Sequence, residues 1–317
     1  MVDTSTPLHM KKFFKWLGIL ILGILVIGVI AVVIMINKFS KQSKVEYAVN
    51  FTEVALPTDS ASLARGAVIA QSTCTSCHGG DFAGTPFFED EKLGSIPAPN
   101  ITKGGRTKNY TVKDWQRTLR YGVKPDGHGA FIMPSTEFNH LSDSDLGSLI
   151  AYMQTVPASD KQWPDPSMTT LAKILAGAGM FGVMYPASVI DMSDTKPRTN
   201  PPPGPTVEYG AYTVAFHGCK TCHGEQLNGY ISPDPLSPPG ANITPAGNIG
   251  KWSLDQFKNT LRTGETPEGK KLDTKFMPWA AMGLMTDMEA EAVFNYLKSM
   301  PALDDSEDLA KYKEKNQ

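Results

Sequence analysis

The motif Cys74-Thr75-Ser76-Cys77-His78 occurs a second time as Cys219-Lys220-Thr221-Cys222-His223, and the two copies contain all 4 cysteines of the 317-residue chain. In a CxxCH segment the two thiols can add to the vinyl groups of one haem, and the adjacent histidine can reach the iron as its proximal ligand. The motif therefore predicts two covalently bound haem c groups. The predicted attachment residues and ligands are Cys74, Cys77 and His78, and Cys219, Cys222 and His223.

Paired cysteines have two other common uses, and both stay open at this point. The pairs of a structural zinc site usually lie about 15–20 residues apart, whereas these lie at residues 74 and 219. A disulfide or thioredoxin-type redox site needs only the CxxC part of the motif. Haem attachment is favoured because it also uses the histidines and because the sequence around each motif repeats.

The two halves of the soluble part align at a nearly constant offset. The matched features are the Asn-Ile-Thr triplets at 100–102 and 242–244, the Leu-Arg-x-Gly segments at 119–122 and 261–264, and the Met-Pro pairs at 133–134 and 277–278. Such agreement predicts two copies of one domain, each with one haem. We place the two domains at residues 45–160 and 207–303.

Each copy has the pattern of a helical domain. Apolar residues recur at helical spacing in 112–121 and 254–263, after the candidate caps Thr111 and Ser253 and before a glycine. A helix is also expected before each CxxCH motif, and a closing helix is expected after Asp143 and after Asp287. The predicted fold class is all-α.

The predicted linker, residues 161–206, is apolar between 171 and 190. Lys173, three glycines and Pro186 argue against a second membrane span there, so we expect this piece to pack over the domains or against a partner. Three consecutive prolines at 201–203 predict a stiff spacer. Residues 304–317 are charged and lack apolar periodicity, which predicts a surface tail.

Residues 17–36 form an uncharged apolar run. At about 1.5 Å per residue, a helix of this length matches the roughly 30 Å hydrocarbon core of a bilayer. We expect a transmembrane anchor, because the apolar region of the alternative, a cleaved signal peptide, is usually only about 7–15 residues long.

The chemistry of the cysteines predicts the orientation. Covalent attachment of haem to CxxCH motifs is typical of the space outside the cytoplasmic membrane of bacteria. We therefore expect a single-pass protein of the bacterial inner membrane, with residues 1–16 in the cytoplasm and the haem domains in the periplasm. The formal charge of −2 gives no indication of nucleic acid, and the acidic part after residue 44 suits redox partner proteins with a basic face.

The sixth iron ligand separates an electron carrier from a catalyst. Met133 and Met277 follow the motif histidines at matched positions, each directly before a proline. A thioether opposite histidine raises the haem potential and closes the iron to substrates. We predict Met133 and Met277 as axial ligands, with His128 and His140 as competitors in the first copy.

The matched Arg120 and Arg262 are candidate contacts of the haem propionates, because a guanidinium can bind a carboxylate bidentately. A solvated arginine on a helix is the alternative. A dihaem peroxidase would also contain two CxxCH motifs, but it needs an iron with a displaceable ligand. The symmetric Met-Pro pairs argue against that enzyme, so no catalytic residue is predicted.

Each copy resembles a class I cytochrome c domain, with CxxCH near its start, a methionine in a late loop and a closing helix. The order CxxCHG, Asn-Ile-Thr, Leu-Arg-x-Gly, Met-Pro is similar to the multihaem cytochrome c subunits of membrane-bound alcohol and gluconate dehydrogenases, over residues 60–157 and 207–301. This chain has two haem motifs rather than three, and an N-terminal anchor.

The resemblance implies the all-α cytochrome fold and electron transport in a respiratory chain. We expect electrons to pass from a quinol-oxidising complex or a dehydrogenase to a terminal oxidase or a soluble acceptor. The alternative is an electron-transfer subunit of one particular membrane-bound dehydrogenase, within a larger complex.

Overall fold

The computed structural model describes residues 6–234 and 237–316, and it begins with one long helix. This helix, α1 (Thr6–Gln42), has exposed side chains throughout residues 12–30. Within the described ranges it is the one helix long and apolar enough to cross a membrane. The predicted span at 17–36 lies inside α1, whereas residues 1–5 of the predicted segment 1–16 lie outside the described residues.

The first domain is a small bundle of helices around one apolar core. Its elements are α2 (Ser60–Thr73), α3 (Thr75–His78), β1 (Thr85–Asp90), β2 (Gly94–Ala98), α4 (Val112–Tyr121), α5 (Ser135–Phe138) and α6 (Asp143–Met153). Helices α2 and α6 can cross closely because Gly66 has no side chain. A Cβ at Gly66 would lie 2.0 Å from the carbonyl oxygen of Ser148.

The connecting segment is more ordered than a linker. It contains β3 (Ser167–Met168), α7 (Thr170–Gly177) and a 3-10 turn at Pro186–Ser188. Strand β3 pairs with β2 and completes an antiparallel sheet in the order β1-β2-β3. Helix α7 packs against α1 so closely that a Cβ at Gly177 would lie 2.0 Å from the carbonyl oxygen of Met35.

The second domain repeats the first. Its elements are α8 (Val207–Phe216), α9 (Cys219–His223), β4 (Asn228–Tyr230), β5 (Gly240–Asn242), a 3-10 turn at Asn248–Lys251, α10 (Leu254–Thr263), α11 (Trp279–Met282), α12 (Asp287–Ser299) and α13 (Glu307–Lys315). The close helix crossing also repeats, since a Cβ at Gly210 would lie 2.0 Å from the carbonyl oxygen of Ala292.

The predicted helix limits at 112–121 and 254–263 are confirmed. Thr111 and Ser253 each form a capping box with the third helical residue, which satisfies free backbone N–H groups at the helix start. Gly122 and Gly264 end these helices in the left-handed conformation that glycine adopts at low cost.

Two expectations need correction. The fold is mostly α rather than all-α, because β1-β2 and β4-β5 form short antiparallel pairs after the two CxxCH motifs. These strands lie in glycine- and proline-rich loops, where no alternating pattern marks them. The tail at 304–317 is not a plain surface extension either. Helix α13 packs the fully buried Leu309 against Gly229 of β4, so one apolar contact holds it.

The two domains share a continuous interface. Tyr209, Tyr212 and Phe216 of α8 belong to the same buried apolar cluster as Ile69 and Leu149 of the first domain. Aromatic side chains of the second domain thus complete the core of the first. Because burial of large apolar side chains is the main stabilising contribution to a fold, the two domains are held together by their cores.

Candidate haem sites

Both motif histidines are held in one tautomer. The Nδ1 atom of His78 lies 2.8 Å from the carbonyl oxygen of Pro99, and the Nδ1 atom of His223 lies 2.7 Å from that of Ala241. A carbonyl oxygen only accepts hydrogen bonds, so Nδ1 carries the proton and donates. The lone pair of Nε2 is then free for a metal, which is the usual arrangement of a metal-binding histidine.

The surroundings also keep these imidazoles neutral. Burial lowers the pKa of His78 and of His223 below the ordinary value of histidine, although the backbone hydrogen bond opposes this effect. A neutral imidazole is the form that binds iron. Both histidines therefore fit the predicted role of proximal ligand.

The acceptor carbonyls are positioned by the Asn-Ile-Thr triplets. Asn100 follows Pro99, and its side-chain amide donates to the carbonyl oxygens of Ser159 (2.7 Å) and Lys161 (2.9 Å). Asn242 follows Ala241 and donates in the same way to the carbonyl of Leu303, at 2.8 Å. In the sequence these asparagines stand out only as matched positions of the repeat. The structure shows that they tie the carbonyl loop to the chain after each closing helix.

No disulfide joins any of the four cysteines. Burial raises the pKa of Cys74 to about 11 and that of Cys219 to about 12, so both stay protonated at neutral pH. A thioredoxin-type site requires a lowered thiol pKa, which makes that alternative a poor fit. Zinc fits poorly as well, because the described ranges contain no group of three or more His, Cys, Asp or Glu side chains that could hold a metal ion.

The two Met-Pro pairs adopt the same tight turn. Pro134 has φ −78° and ψ 57°, and Pro278 has φ −75° and ψ 52°, close to an inverse γ-turn. The backbone N–H after each proline donates to the methionine carbonyl, at 2.8 Å for Met133 and 2.6 Å for Met277. A short helix, α5 or α11, follows immediately, so the backbone of both methionine loops is fixed.

Each methionine lies in the cluster that contains the first cysteine of its motif. Met133 packs against the cluster of Cys74, Trp115 and Leu119. Met277 packs, together with Cys219, against the cluster of Phe257 and Leu261. Cysteine, aromatic, leucine and methionine thus occupy matched positions in an apolar environment. This donor set, with the Nε2 lone pairs of the histidines, fits a haem c in each domain.

The competing histidines lie elsewhere. His128 is beside Glu46 and Asp126, with nitrogen–oxygen distances of 3.9 and 3.5 Å. His140 is exposed, with Glu137 and Lys220 among the nearby charges. Neither histidine belongs to the cluster that surrounds Cys74 and Met133.

The candidate propionate contacts differ between the domains. Arg120 is buried and donates to Asp143 (2.7 Å) and to the carbonyl oxygen of Leu141 (2.8 Å), while its Nε atom has no partner among the described residues. Arg262 is more exposed, and Asp287 is its one ion-pair partner among the residues that the structure describes. In both cases the arginine is bonded to the first residue of the closing helix.

Residues next to one methionine loop touch the other CxxCH motif. Glu137, on the helix after Met133, accepts a hydrogen bond of 2.6 Å from the hydroxyl of Thr221, which lies inside the second motif. In the reverse direction, α11, which follows Met277, contacts α2 and α3 of the first domain. The two haem sites therefore face each other across the domain interface.

A buried ionic network joins the domains, and sequence reasoning missed it. Arg65 of α2 pairs with Asp145 of its own domain (2.7 Å) and with Glu289 of the second domain. The hydroxyl of Tyr212 donates to Asp145 at 2.8 Å. Asp145 and Glu289 occupy matched positions in the repeat, but only the structure shows that Arg65 pairs with both.

Comparison with known proteins gives two family matches. Residues 61–153 match the family described as cytochrome C oxidase, cbb3-type, subunit III, and residues 207–301 match cytochrome c. The two matched ranges coincide with the two repeats described above.

Several curated relatives are cytochrome subunits. The chain is 27% identical over 296 residues to the cytochrome c subunit of alcohol dehydrogenase (quinone) from Gluconobacter oxydans, covering 80% of this chain and 58% of the relative. It is 26% identical over 267 residues to the fructose dehydrogenase cytochrome subunit of Gluconobacter japonicus (76% and 53%). A diheme cytochrome c-type protein of Cereibacter sphaeroides is 26% identical over 262 residues (73% and 83%). The chain spans less than two thirds of the length of the dehydrogenase subunits.

Proposed function

We propose that this chain, which belongs to the class I cytochromes c and carries two covalently attached haem c groups, relays single electrons while anchored in a membrane. A bound haem c supplies reversible one-electron oxidation and reduction of its iron. The proposal places α1 in the bacterial inner membrane and both domains in the periplasm. The donor is a quinol-oxidising complex or a dehydrogenase, and the acceptor is a terminal oxidase or a soluble carrier.

One observation carries the proposal: the two sites are alike and face each other. His78 and His223 have the same tautomer, and Met133 and Met277 lie in the same turn at matched positions. Two closed, methionine-ligated irons suit electron transfer, whereas a peroxidase needs one iron open to its substrate. The contact between Glu137 and Thr221 brings the surroundings of the two sites together.

The protein's residues supply attachment, ligands and a dry environment. The four thiols fix the cofactors, the imidazoles and thioethers set their potentials, and the buried clusters around Cys74 and Cys219 exclude water. Anchoring by α1 keeps the domains close to membrane partners and raises their effective concentration.

A second candidate is the electron-transfer subunit of a dehydrogenase. The relatives favour it, since several of them are cytochrome subunits of alcohol, fructose and gluconate dehydrogenases. In this case the donor is the catalytic subunit of the same complex, and the acceptor is a quinone or a further carrier.

Membranes that contain the full chain, a quinol-oxidising complex and a terminal oxidase test the proposal. Quinol should reduce both haems and drive oxygen uptake that depends on the chain. The variant Cys219→Ala/Cys222→Ala, which lacks the second attachment site, should lose this uptake. Haem reduction by a sugar or an alcohol plus its dehydrogenase, but not by quinol, would establish the second candidate. Rapid turnover of hydrogen peroxide would contradict both.

A further inference from the structure

The connecting segment exposes apolar side chains beside the membrane helix. Leu171 is 46% exposed and Val183 is 53% exposed, Ala178 is exposed and Met180 is half-buried. We call these four residues the apolar patch. Soluble surfaces rarely group such residues without a binding role.

The point at which α7 contacts α1 indicates how deep the connecting segment lies relative to the apolar run of α1. Helix α1 is exposed from residue 12 to residue 30, and then Ala31, Met35 and Phe39 become partly or fully covered on one face, at a spacing of four residues. The contact between Gly177 and Met35 places the end of α7 one residue before the end of the uncharged run at 17–36. With a rise of about 1.5 Å per residue, the covered face begins roughly 7 Å inside that run.

The charges next to this level suit a lipid surface. Lys38, Lys41 and Lys44 are exposed directly after the apolar run, and the half-buried Lys173 lies in α7. Interfacial helices combine such lysines with apolar side chains that enter the lipid by about 5–10 Å. The depth of the segment and its neighbouring lysines thus both suit a position at the lipid surface.

We propose that the apolar patch lies in the boundary between headgroups and acyl chains of the bilayer that α1 crosses, with the lysines on anionic headgroups. The proposal rests on the membrane anchoring of α1 stated above. Its occupant is the lipid surface, because α7 packs against α1 at the end of the apolar run, next to the exposed Lys38, Lys41 and Lys44. Docking of a membrane protein on the patch is the alternative that the experiment separates.

Helix α1 and the connecting segment also contact the loop that precedes Met133 of the first haem site. Phe39 of α1 and Tyr185 of the segment pack against Phe131, with ring centroids 6.3 and 5.2 Å away. The N–H of Ile132 donates to the carbonyl oxygen of Met184 at 2.8 Å. Ile132 precedes Met133, so the membrane-bound segment holds the methionine loop of the first domain.

Photolabelling of the purified full-length holoprotein tests this placement. The protein is inserted alone into nanodiscs of phosphatidylcholine and phosphatidylglycerol with a diazirine on the acyl chains, and labelled peptides are identified by mass spectrometry. We expect adducts on α1 and on residues 171–183. The exposed Tyr230 and Leu284 of the second domain serve as internal controls and should stay unlabelled.

The outcomes distinguish the placement of the apolar patch from the membrane anchoring of α1. Adducts on α1 without any on residues 171–183 would overturn the placement of the patch and leave the anchor standing. Absence of adducts from both would overturn the anchor itself. In the variant Val183→Glu, labelling of the segment should fall several-fold while labelling of α1 is unchanged. Equal labelling of the segment in this variant would contradict the proposal.

Discussion

The hydroxyl oxygen of Ser72 lies 3.1 Å from Nε2 of His217, and these two residues occupy the same position in the two domains, two residues before the CxxCH motif. Nδ1 of His217 lies 3.0 Å from the carbonyl oxygen of Thr213, to which it donates. A neutral ring accepts at Nε2 when the single proton of the Ser72 hydroxyl points to it rather than to the carbonyl oxygen of Val68, which lies 2.8 Å from the same hydroxyl oxygen. The domain interface thus brings equivalent positions of the two repeats into contact.

His217 should make the stability of the protein depend on pH. Burial lowers its pKa from 6.5 to about 4, with Glu289 raising and Arg65 lowering it to smaller extents. The unfolded chain therefore binds more protons between pH 6.5 and pH 4, and stability falls as pH falls through this range. We expect wild type to lose on the order of 2 kcal/mol more than His217→Gln over this range.

Guanidinium unfolding at several pH values, followed by near-UV circular dichroism, measures this difference. His128→Gln is the matched control for replacement of a histidine outside the domain interface, where its ring lies beside Glu46 and Asp126. Identical curves for His217→Gln and wild type would show that the His217 ring does not carry the effect.

Arg65 should hold the domains together. In Arg65→Met the carboxylates of Asp145 and Glu289, which are 5% and 1% exposed, lose their shared partner. Loss of one member of a buried ion pair costs about 3 kcal/mol. The exposed pair of Arg106 and Asp165 provides the control, since Arg106→Met should change the free energy of unfolding by less than about 1 kcal/mol. Similar losses in both variants would argue against a special role of Arg65.

Met133 and Met277 should be the sixth ligands of the first and the second haem iron. Met277→Ala should allow carbon monoxide to bind to the second haem and should lower its potential, and Met133→Ala should do the same at the first. Visible spectra under carbon monoxide and a redox titration measure both effects. Met285→Leu, a change of a buried methionine in the same apolar cluster, should leave the spectrum unaltered. An unchanged potential in Met277→Ala would exclude Met277 as the ligand.

Gly210 should be required for the crossing of α8 and α12. A methyl group at this position would overlap the carbonyl oxygen of Ala292, and such overpacking costs about 3 kcal/mol. Thermal unfolding of Gly210→Ala measures the loss. Gly204→Ala is the control, because a Cβ there would meet only Thr206 at an ordinary distance of 3.6 Å. Equal melting temperatures for the two variants would show that the helices can move apart at little cost.

The sequence predicted those parts of the fold that depend on local signals. The caps Thr111 and Ser253, the terminal glycines and the apolar spacing predicted α4 and α10 to the residue. The haem attachment residues were predicted because CxxCH is a local motif. Helix α13 was missed because one apolar residue, Leu309, holds it, and one residue makes no periodic pattern.

The parts that were missed depend on contacts between distant residues. The contact of His217 with Ser72 has no local signal, since nothing near His217 in the chain points to Ser72. The shared partnership of Arg65 with residues 145 and 289 has no local signature either. The role of Asn100 becomes visible only when the carbonyl of Pro99 is seen next to His78.

The aromatic residues of α8 that fill the first domain also limit how the chain can be divided. Tyr209 and Phe216 are each 1% exposed, and part of what covers them belongs to the first domain. A protease cut at the prolines of 201–203 would break the polypeptide without releasing either half. Truncation between the repeats, by contrast, would leave the remaining piece with an open apolar surface and a tendency to aggregate.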